Sequence, residues 1–306
     1  MQILMKRVLK WIGIGLGSLI LLLMLAAGAV YAISEVRFNR TYEIQAAPVE
    51  IPTDAEAIAY GEHIASIRGC KACHGENLSG QIEFQDPMVG VIANANLTRG
   101  QGSEVSDYTS EDWARSIRHG VGPDDKPLLI MPSNQHYIMS DKDLGALLAY
   151  IQSLPPVDNE LPGLTLNLFP RLMYVLGPMD FLVPAELIDH DAPRPPAPER
   201  GVTAKYGEYL AGLCSLCHGP GFSGGPIPGT PPEDPPALNL TPAGELAAWT
   251  FEDFLTAMRS GVTPSGRQLR DEYMPYQTLF GEMSDEEWEA IWLFLQTLPP
   301  REYGNR

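Results

Sequence analysis

The longest apolar run in the chain extends from Trp11 to Ile33, 23 residues without Asp, Glu, Lys or Arg. As a helix it is long enough to cross the hydrocarbon core of a bilayer. A cleaved secretory signal is the competing reading, because Ala29 to Ala32 offer small residues at its end. Such signals have an apolar region of only about 7 to 15 residues, so length favours a retained anchor. Lys6, Arg7 and Lys10 precede the run, which puts the N-terminus in the cytoplasm and everything after Ile33 on the periplasmic or other extracytoplasmic side of a single-pass cell-membrane protein. Further along, apolar positions recur at helical spacing. Leu144, Leu147, Leu148 and Ile151 share one helix face, and Trp288, Ile291, Trp292 and Leu295 share another. Each stripe follows a Ser N-cap with acidic residues behind it (Ser140, Ser284) and stops at a Pro-Pro pair.

These two helices are the ends of an internal repeat. Gly61-Glu62-His63 corresponds to Gly207-Glu208-Tyr209, Leu78-Ser79-Gly80 to Phe222-Ser223-Gly224, and Asn96-Leu97-Thr98 to Asn239-Leu240-Thr241. Thr109-Ser110-Glu111-Asp112-Trp113, leading to Arg118 and Gly120-Val121, recurs as Thr250-Phe251-Glu252-Asp253-Phe254, leading to Arg259 and Gly261-Val262. Met131-Pro132 answers to Met274-Pro275, and the offset stays between 141 and 146 residues throughout. One plan has been used twice. Each copy reads as three helices: one ending at a Cys-x-x-Cys-His pentad, one running from Thr109 or Thr250 to Gly120 or Gly261, and the third just described. The predicted fold is all-α, a tandem repeat of two three-helix domains after one N-terminal transmembrane helix. Its divisions are an anchor (1–33), a first domain (34–156), a linker packed on the domains (157–202) and a second domain (203–306). Leu164 to Pro184 in the linker is apolar, but Pro170, Arg171, Pro178 and Asp180 interrupt it. It is read as packed on the domains, with a membrane-surface contact as the other reading, and Ala192 to Glu199 is a stiff Pro-rich spacer.

Charge narrows the partners. The chain is formally −17, and beyond residue 33 it carries 38 acidic and 18 basic residues with no basic run. Nucleic acid is thereby excluded as a partner, and anionic lipid would repel the exported part, which leaves the anchoring to the helix.

The only four cysteines fall in the two pentads, Cys70-x-x-Cys73-His74 and Cys214-x-x-Cys217-His218. Two cysteines three apart at a helix end can each form a thioether to a haem vinyl group, with the adjacent His reaching the iron from the same side. A redox dithiol or half of a zinc site is the alternative, but zinc requires four ligands and seldom uses this spacing. Two covalent haem c groups are therefore expected. The long, Gly- and Pro-rich loops fit that reading, since they need something to wrap around. For the sixth iron ligand the candidates are Met131, 57 residues after His74, and Met274, 56 after His218. A thioether favours ferrous iron and raises the potential. His119 and His136 are alternatives for the first haem, and their second-copy counterparts are not ligands. Arg118 and Arg259 are candidate partners of a haem propionate, or solvated surface arginines. Asn96 and Asn239 either bond a propionate or close a turn, and Tyr108 and Trp249 either pack on a haem or belong to the core.

With these residues together, the chain resembles class I-type c cytochromes, and among them the cytochrome subunits of membrane-bound alcohol and aldehyde dehydrogenases. The likeness rests on Cys-x-x-Cys-His, on Asn-Leu-Thr before the Thr-x-Glu-Asp helix that ends Arg-x-Gly-Val, and on Met-Pro before Ser-Asp and a closing Ser/Thr-Leu-Pro-Pro. It covers residues 57–156 and 203–300. The resemblance implies His74 with Met131 and His218 with Met274 as axial pairs. It also implies electron transfer from a dehydrogenase or quinol-linked membrane complex towards a terminal acceptor, such as an oxidase or a soluble electron carrier, and no catalysis by the chain itself. Those subunits typically carry three such domains, and this chain carries two. The alternative is an enzyme, a di-haem cytochrome c peroxidase, in which one haem has a displaceable ligand with acid-base residues nearby. The equal Met-Pro pairs of the two copies favour transfer.

Overall fold

A computed structural model describes residues 2–305 of the chain. Helix α1 runs Gln2–Phe38, beyond the apolar run, because its last turn has protein partners where the sequence turns polar. Arg37 pairs with Glu186, and Phe38 lies against Tyr174 with ring centroids 5.2 Å apart. The first copy then opens with α2 (Ala55–Ile67), capped by Asp54, and α3 (Cys70–His74). The first helix does not run unbroken into the pentad as its pattern suggests. Gly69, in the left-handed region at φ +81°, turns the chain between the two.

Two strands follow, β1 (Gln81–Asp86) and β2 (Gly90–Asn94), paired antiparallel. The sheet is completed by β3 (Thr165–Leu166), contributed by the linker. This small sheet is an addition to the predicted all-helical plan, and the chain is otherwise mostly helical. In the second copy the corresponding loop is rich in proline, which cannot donate to a ladder, and only one bridge forms there, Gly225 to Ala237.

Helix α4 (Ser110–Ala114) starts in a capping box between Thr109 and Asp112, then widens into a π-helical turn over Arg115–His119 before Gly120 ends it. A short helix α5 (Ser133–His136) precedes α6 (Asp141–Ser153), which Ser140 caps. The linker carries α7 (Leu168–Leu176). The second copy repeats the order with α8 (Ala204–Leu210), α9 (Cys214–His218), α10 (Phe251–Ser260) and α11 (Asp285–Thr297), the last two opened by the capping boxes of Thr250 and Ser284.

In both copies the first helix crosses the third with no side chain between them. A Cβ placed on Gly61 would lie 1.9 Å from the Ala146 carbonyl oxygen, and one on Gly207 would lie 1.9 Å from that of Ala290. Leu144, Leu147, Leu148 and Ile151, like Trp288, Ile291 and Leu295, are buried beside these crossings. The two copies share one core and meet by a reciprocal contact. Tyr209 of the second copy donates to Asp143 of the first, and His63 of the first, the repeat partner of Tyr209, bonds Glu287 of the second at 2.8 Å. Both carboxylates occupy the third position of a third helix. The contact is thus approximately two-fold, as in a symmetric dimer interface.

Replacing Gly207 with Ala puts a methyl group into the Ala290 carbonyl. Forced overpacking of this kind costs about 1 to 3 kcal/mol or more. Urea unfolding followed by tryptophan fluorescence should show the loss, and an unshifted midpoint would mean that the helices slide apart at no cost.

Candidate functional site

Each pentad is a short helix that sets its two cysteines one turn apart, ended by a glycine at positive φ, Gly75 or Gly219. Burial pushes the thiols of Cys70 and Cys214 up to about 12 and that of Cys73 up to about 11. A redox dithiol needs the opposite, a thiol depressed towards neutrality. Nor is the geometry that of a zinc site: among the described residues no group of three or more His, Cys, Asp or Glu is placed to hold a metal ion.

The histidines are oriented alike. His74 Nδ1 donates to the Ala95 carbonyl at 2.7 Å, and His218 Nδ1 donates to the Leu238 carbonyl at 2.7 Å. A carbonyl can only accept, so the proton is on Nδ1 and the lone pair on Nε2, the tautomer that ligates a metal through Nε2. Burial lowers the pKa of His74 and outweighs the opposing carbonyl bond, which keeps the ring neutral. Met131 and Met274 occupy matching turns. The Ser133 N–H donates to the Met131 carbonyl at 2.7 Å across Pro132 (φ −77°, ψ 53°), and the Tyr276 N–H does the same to Met274 at 2.7 Å. These are inverse γ-turns with proline at the centre, and they hold each methionine at a fixed loop position.

In the second copy His218 and Met274 line one open apolar cleft, with Trp249, Phe254, Trp288 and Leu295 in its walls. A nitrogen donor and a thioether on one apolar cleft, beside two paired thiols, are the donor set of a covalently held haem. The residues present therefore fit that group.

The remaining candidates resolve differently. Arg118, 3% exposed, donates to the Met139 carbonyl at 2.8 Å and pairs with Asp141 at 2.7 Å. Arg259 donates to the Met283 carbonyl at 2.7 Å and pairs with Asp285 at 2.6 Å. Both guanidinium groups clasp the approach to a third helix, where the carbonyl just before the helix and the carboxylate of its first residue accept from them, and Arg259 is not among the residues lining the cleft. The basic residues that do line it are Arg267 and Arg270. Asn96 and Asn239 close turns. Their side chains accept from the N–H and hydroxyl of Thr98 and Thr241 and donate at 2.8 Å to the carbonyls of Val157 and Arg301, beyond each third helix. Tyr108 packs edge-on against Trp113, while Trp249 lines the cleft. His119 lies 3.0 Å from His190 of the linker and edge-on to Tyr137. His136 is buried at the face between the copies, under the charge of Arg68.

Arg68 itself escapes a search by repeats, since Gly212 stands at its place in the second copy. It is 2% exposed and donates to the Tyr209 carbonyl at 3.1 Å, with its guanidinium 4.4 Å from the Tyr209 ring centre. Its Nε and Nη2 have no partner. A lone arginine two residues before a pentad was the only sequence signal of it.

The sequence pattern of the cytochrome c family matches residues 58–155 and again 204–299. Among curated relatives, the chain is 27% identical over 282 residues to an alcohol dehydrogenase (quinone) cytochrome c subunit of Gluconacetobacter polyoxogenes, covering 81% of this chain and 57% of that protein. It is 26% identical over 284 residues to the fructose dehydrogenase cytochrome subunit of Gluconobacter japonicus, covering 84% and 56%. It is 30% identical over 176 residues to the gluconate 2-dehydrogenase cytochrome c subunit of Pantoea cypripedii, covering 52% and 37%. The chain thus spans little more than half the length of these relatives at most.

Acid should loosen the first copy. Burial, with the Arg68 charge adding to it, pushes His136 down to about 3, and burial with the neighbouring His190 and Arg118 pushes His119 down to about 4. Both rings stay neutral in the fold, whereas the unfolded chain takes up protons below about pH 6.5. Stability contributed by the neutral rings is complete above that pH and falls as the pH drops towards 4, by at most about 1.4 kcal/mol per pH unit for the buried His136. Urea titrations at pH 7, 5.5 and 4.5 should show a shallower acid loss for His136→Gln than for the parent chain, and equal losses would refute the assignment.

Proposed function

The chain belongs to the cytochrome c family, and from that premise we propose that it is a membrane-anchored subunit with two haem c groups, relaying single electrons from a dehydrogenase or quinol-linked complex to a terminal acceptor. Cys70, Cys73, His74 and Met131 would hold one group, the last two through its iron, and Cys214, Cys217, His218 and Met274 would hold the other in the same way. When bound, each haem supplies a one-electron ferric/ferrous couple. The protein's part is to hold a neutral imidazole by its Nδ1–carbonyl bond, to hold a thioether in a proline-centred turn, and to keep water away with an apolar wall. The observation that carries the reading is the duplication of that arrangement, pentad, carbonyl bond and Met-Pro turn, in two copies that share a core.

The dehydrogenase as donor is supported by the relatives, which are cytochrome subunits of alcohol, fructose and gluconate dehydrogenases. One-electron chemistry at each haem suits an acceptor such as an oxidase or a soluble carrier. Helix α1 contains an apolar window that the rest of the protein does not bury, which supports insertion in the cell membrane, and the basic residues Lys6, Arg7 and Lys10 before it favour haem domains on the periplasmic side. A peroxidase would need the two iron sites to differ, and both Met-Pro turns close with the same 2.7 Å hydrogen bond across the proline. Solubilising membranes in mild detergent and isolating the tagged chain should bring down a dehydrogenase whose substrate reduces both haems. Isolation of the chain alone, with no substrate or quinol able to reduce it, would sink the partnership.

Met131→Ala and Met274→Ala should each abolish the thioether–iron absorption band of one haem and lower that haem's potential. An unchanged spectrum in Met131→Ala, with its loss in His136→Ala or His119→Ala, would transfer the axial role to that histidine.

Arg68 carries a second outcome. Its charge opposes burial at the thiols of both Cys70 and Cys214, so from its buried position it would act on both haem sites. Redox titration of Arg68→Met should lower both potentials, with Arg68→Lys close to the parent. A shift confined to one haem, or none in a folded variant, would refute it.

A further inference from the structure

Helix α7 turns the wrong face outward for a soluble protein. Leu168, Phe169, Leu172 and Leu176, between 37% and 67% exposed, fall on one side of it, all within about 100° of helix rotation. Pro170 and Tyr174, on the other side, are buried. The one charge on the helix points inward. Arg171 donates to Ser34 Oγ and to Glu35, each at 2.9 Å, and its guanidinium lies 4.7 Å and 5.0 Å from the ring centres of Tyr31 and Phe38. A surface helix of a soluble domain has the reverse arrangement, apolar in and polar out.

The apolar surface continues onto the β1–β2 hairpin. Asn167, just before α7, donates its N–H to the Val89 carbonyl at 2.9 Å and its side chain to the Pro87 carbonyl at 2.8 Å. Met88, between them at the hairpin tip, is 62% exposed.

What covers this surface follows from where it is tied. Trp11 and Tyr31 are twenty residues apart on α1, about 30 Å of helix and the thickness of a bilayer's hydrocarbon. Aromatic rings of this kind sit at the two membrane interfaces. Arg171 lies over Tyr31, so α7 is held at the depth of the outer interface, beside the point where the chain leaves the hydrocarbon. We infer that α7 and the hairpin tip lie in the interfacial layer of the membrane that α1 crosses, with Leu168, Phe169, Leu172, Leu176 and Met88 among the lipids. The inference rests on the reading of α1 as a membrane span. Its lipid is zwitterionic, because the patch is uncharged while the exported part is strongly acidic. The consequence is orientation: a single span leaves a domain free to swivel, whereas a second contact fixes one side of the first copy against the membrane. The buried cluster of Phe38, Tyr174, Leu166, Leu182 and Val121 joins α1, α7 and that copy into one unit.

In the haem-loaded chain all four native cysteines are consumed, so an introduced cysteine can be spin-labelled alone. Leu172→Cys, Ile20→Cys and Glu302→Cys all fall on exposed positions that leave the fold intact. The full-length chain would be placed in phosphatidylcholine nanodiscs, and each label tested for collision with oxygen, which concentrates in lipid, and with a water-soluble nickel chelate. Oxygen should dominate at Ile20 and at Leu172, with Leu172 the shallower, and the chelate at Glu302. Chelate access at Leu172 with Ile20 still protected overturns the inference and leaves the anchor standing. Chelate access at both overturns the anchor and this inference with it.

Discussion

The contact on which the rest depends is a backbone one, Gly61 against Ala146 and Gly207 against Ala290. Because no side chain separates the two helices, they meet backbone to backbone, and the pentad downstream of each glycine is positioned by that crossing. The third helix then captures the second. The carbonyls of Met139 and Met283, just before the third helices, accept from Arg118 and Arg259 at the ends of the second, and Asn96 and Asn239 tie the intervening loop to the carbonyls beyond the third. In the second copy the pentad helix, α10 and α11 so placed line one cleft, which His218 and Met274 share.

Much of this was legible in the sequence because it is local. Thr109, Ser140, Thr250 and Ser284 cap their helices as their positions predict, and the apolar stripes of the third helices are buried except for Trp292, which is half-buried. What stayed hidden depends on residues far apart in the chain. The β1–β2 hairpin is joined by a strand some seventy residues later, and the π-helical turn over Arg115–His119 has no sequence mark. Arg118 and Arg259 were visible as a repeated pair, but the alternatives open to a guanidinium, a propionate, solvent or a helix start, differ only in tertiary placement. Arg68 was hidden for the converse reason. It is significant where the two copies differ, and a repeat directs the eye to where they agree.

The same divergence marks the contact between copies. One geometric slot is filled by tyrosine against Asp143 and the other by histidine against Glu287. The phenol donates at any ordinary pH. Glu287 is buried, which alone would raise its pKa, yet the bonds from His63 and the Ser284 cap outweigh burial and hold it below the usual carboxylate range. The stabilisation of Glu287 is therefore present above about pH 4.5 and lost as the pH falls through its lowered value. Duplication supplied a symmetric interface, and sequence drift has left its two halves with different chemistry.

The linker binds these parts more closely than a spacer would. Arg194 donates to the Met139 carbonyl at 3.1 Å and pairs with Asp141 at 2.9 Å, at the helix start that Arg118 also holds, and Arg200 lies over the ring of Tyr60. His190 reaches His119, and Glu186 reaches both Arg37 and Tyr174. The Pro-rich strand thus lies along the first copy before it enters the second. Among these linker contacts, the end of α1 and helix α7 join the first copy through Val121 and its neighbours, while the second copy is held by the reciprocal contact and the shared core. Order along the chain becomes order in space: the anchor restrains the first domain, and the first domain restrains the second. Each joint in that succession is closed by a charge or aromatic contact rather than by the covalent linker alone.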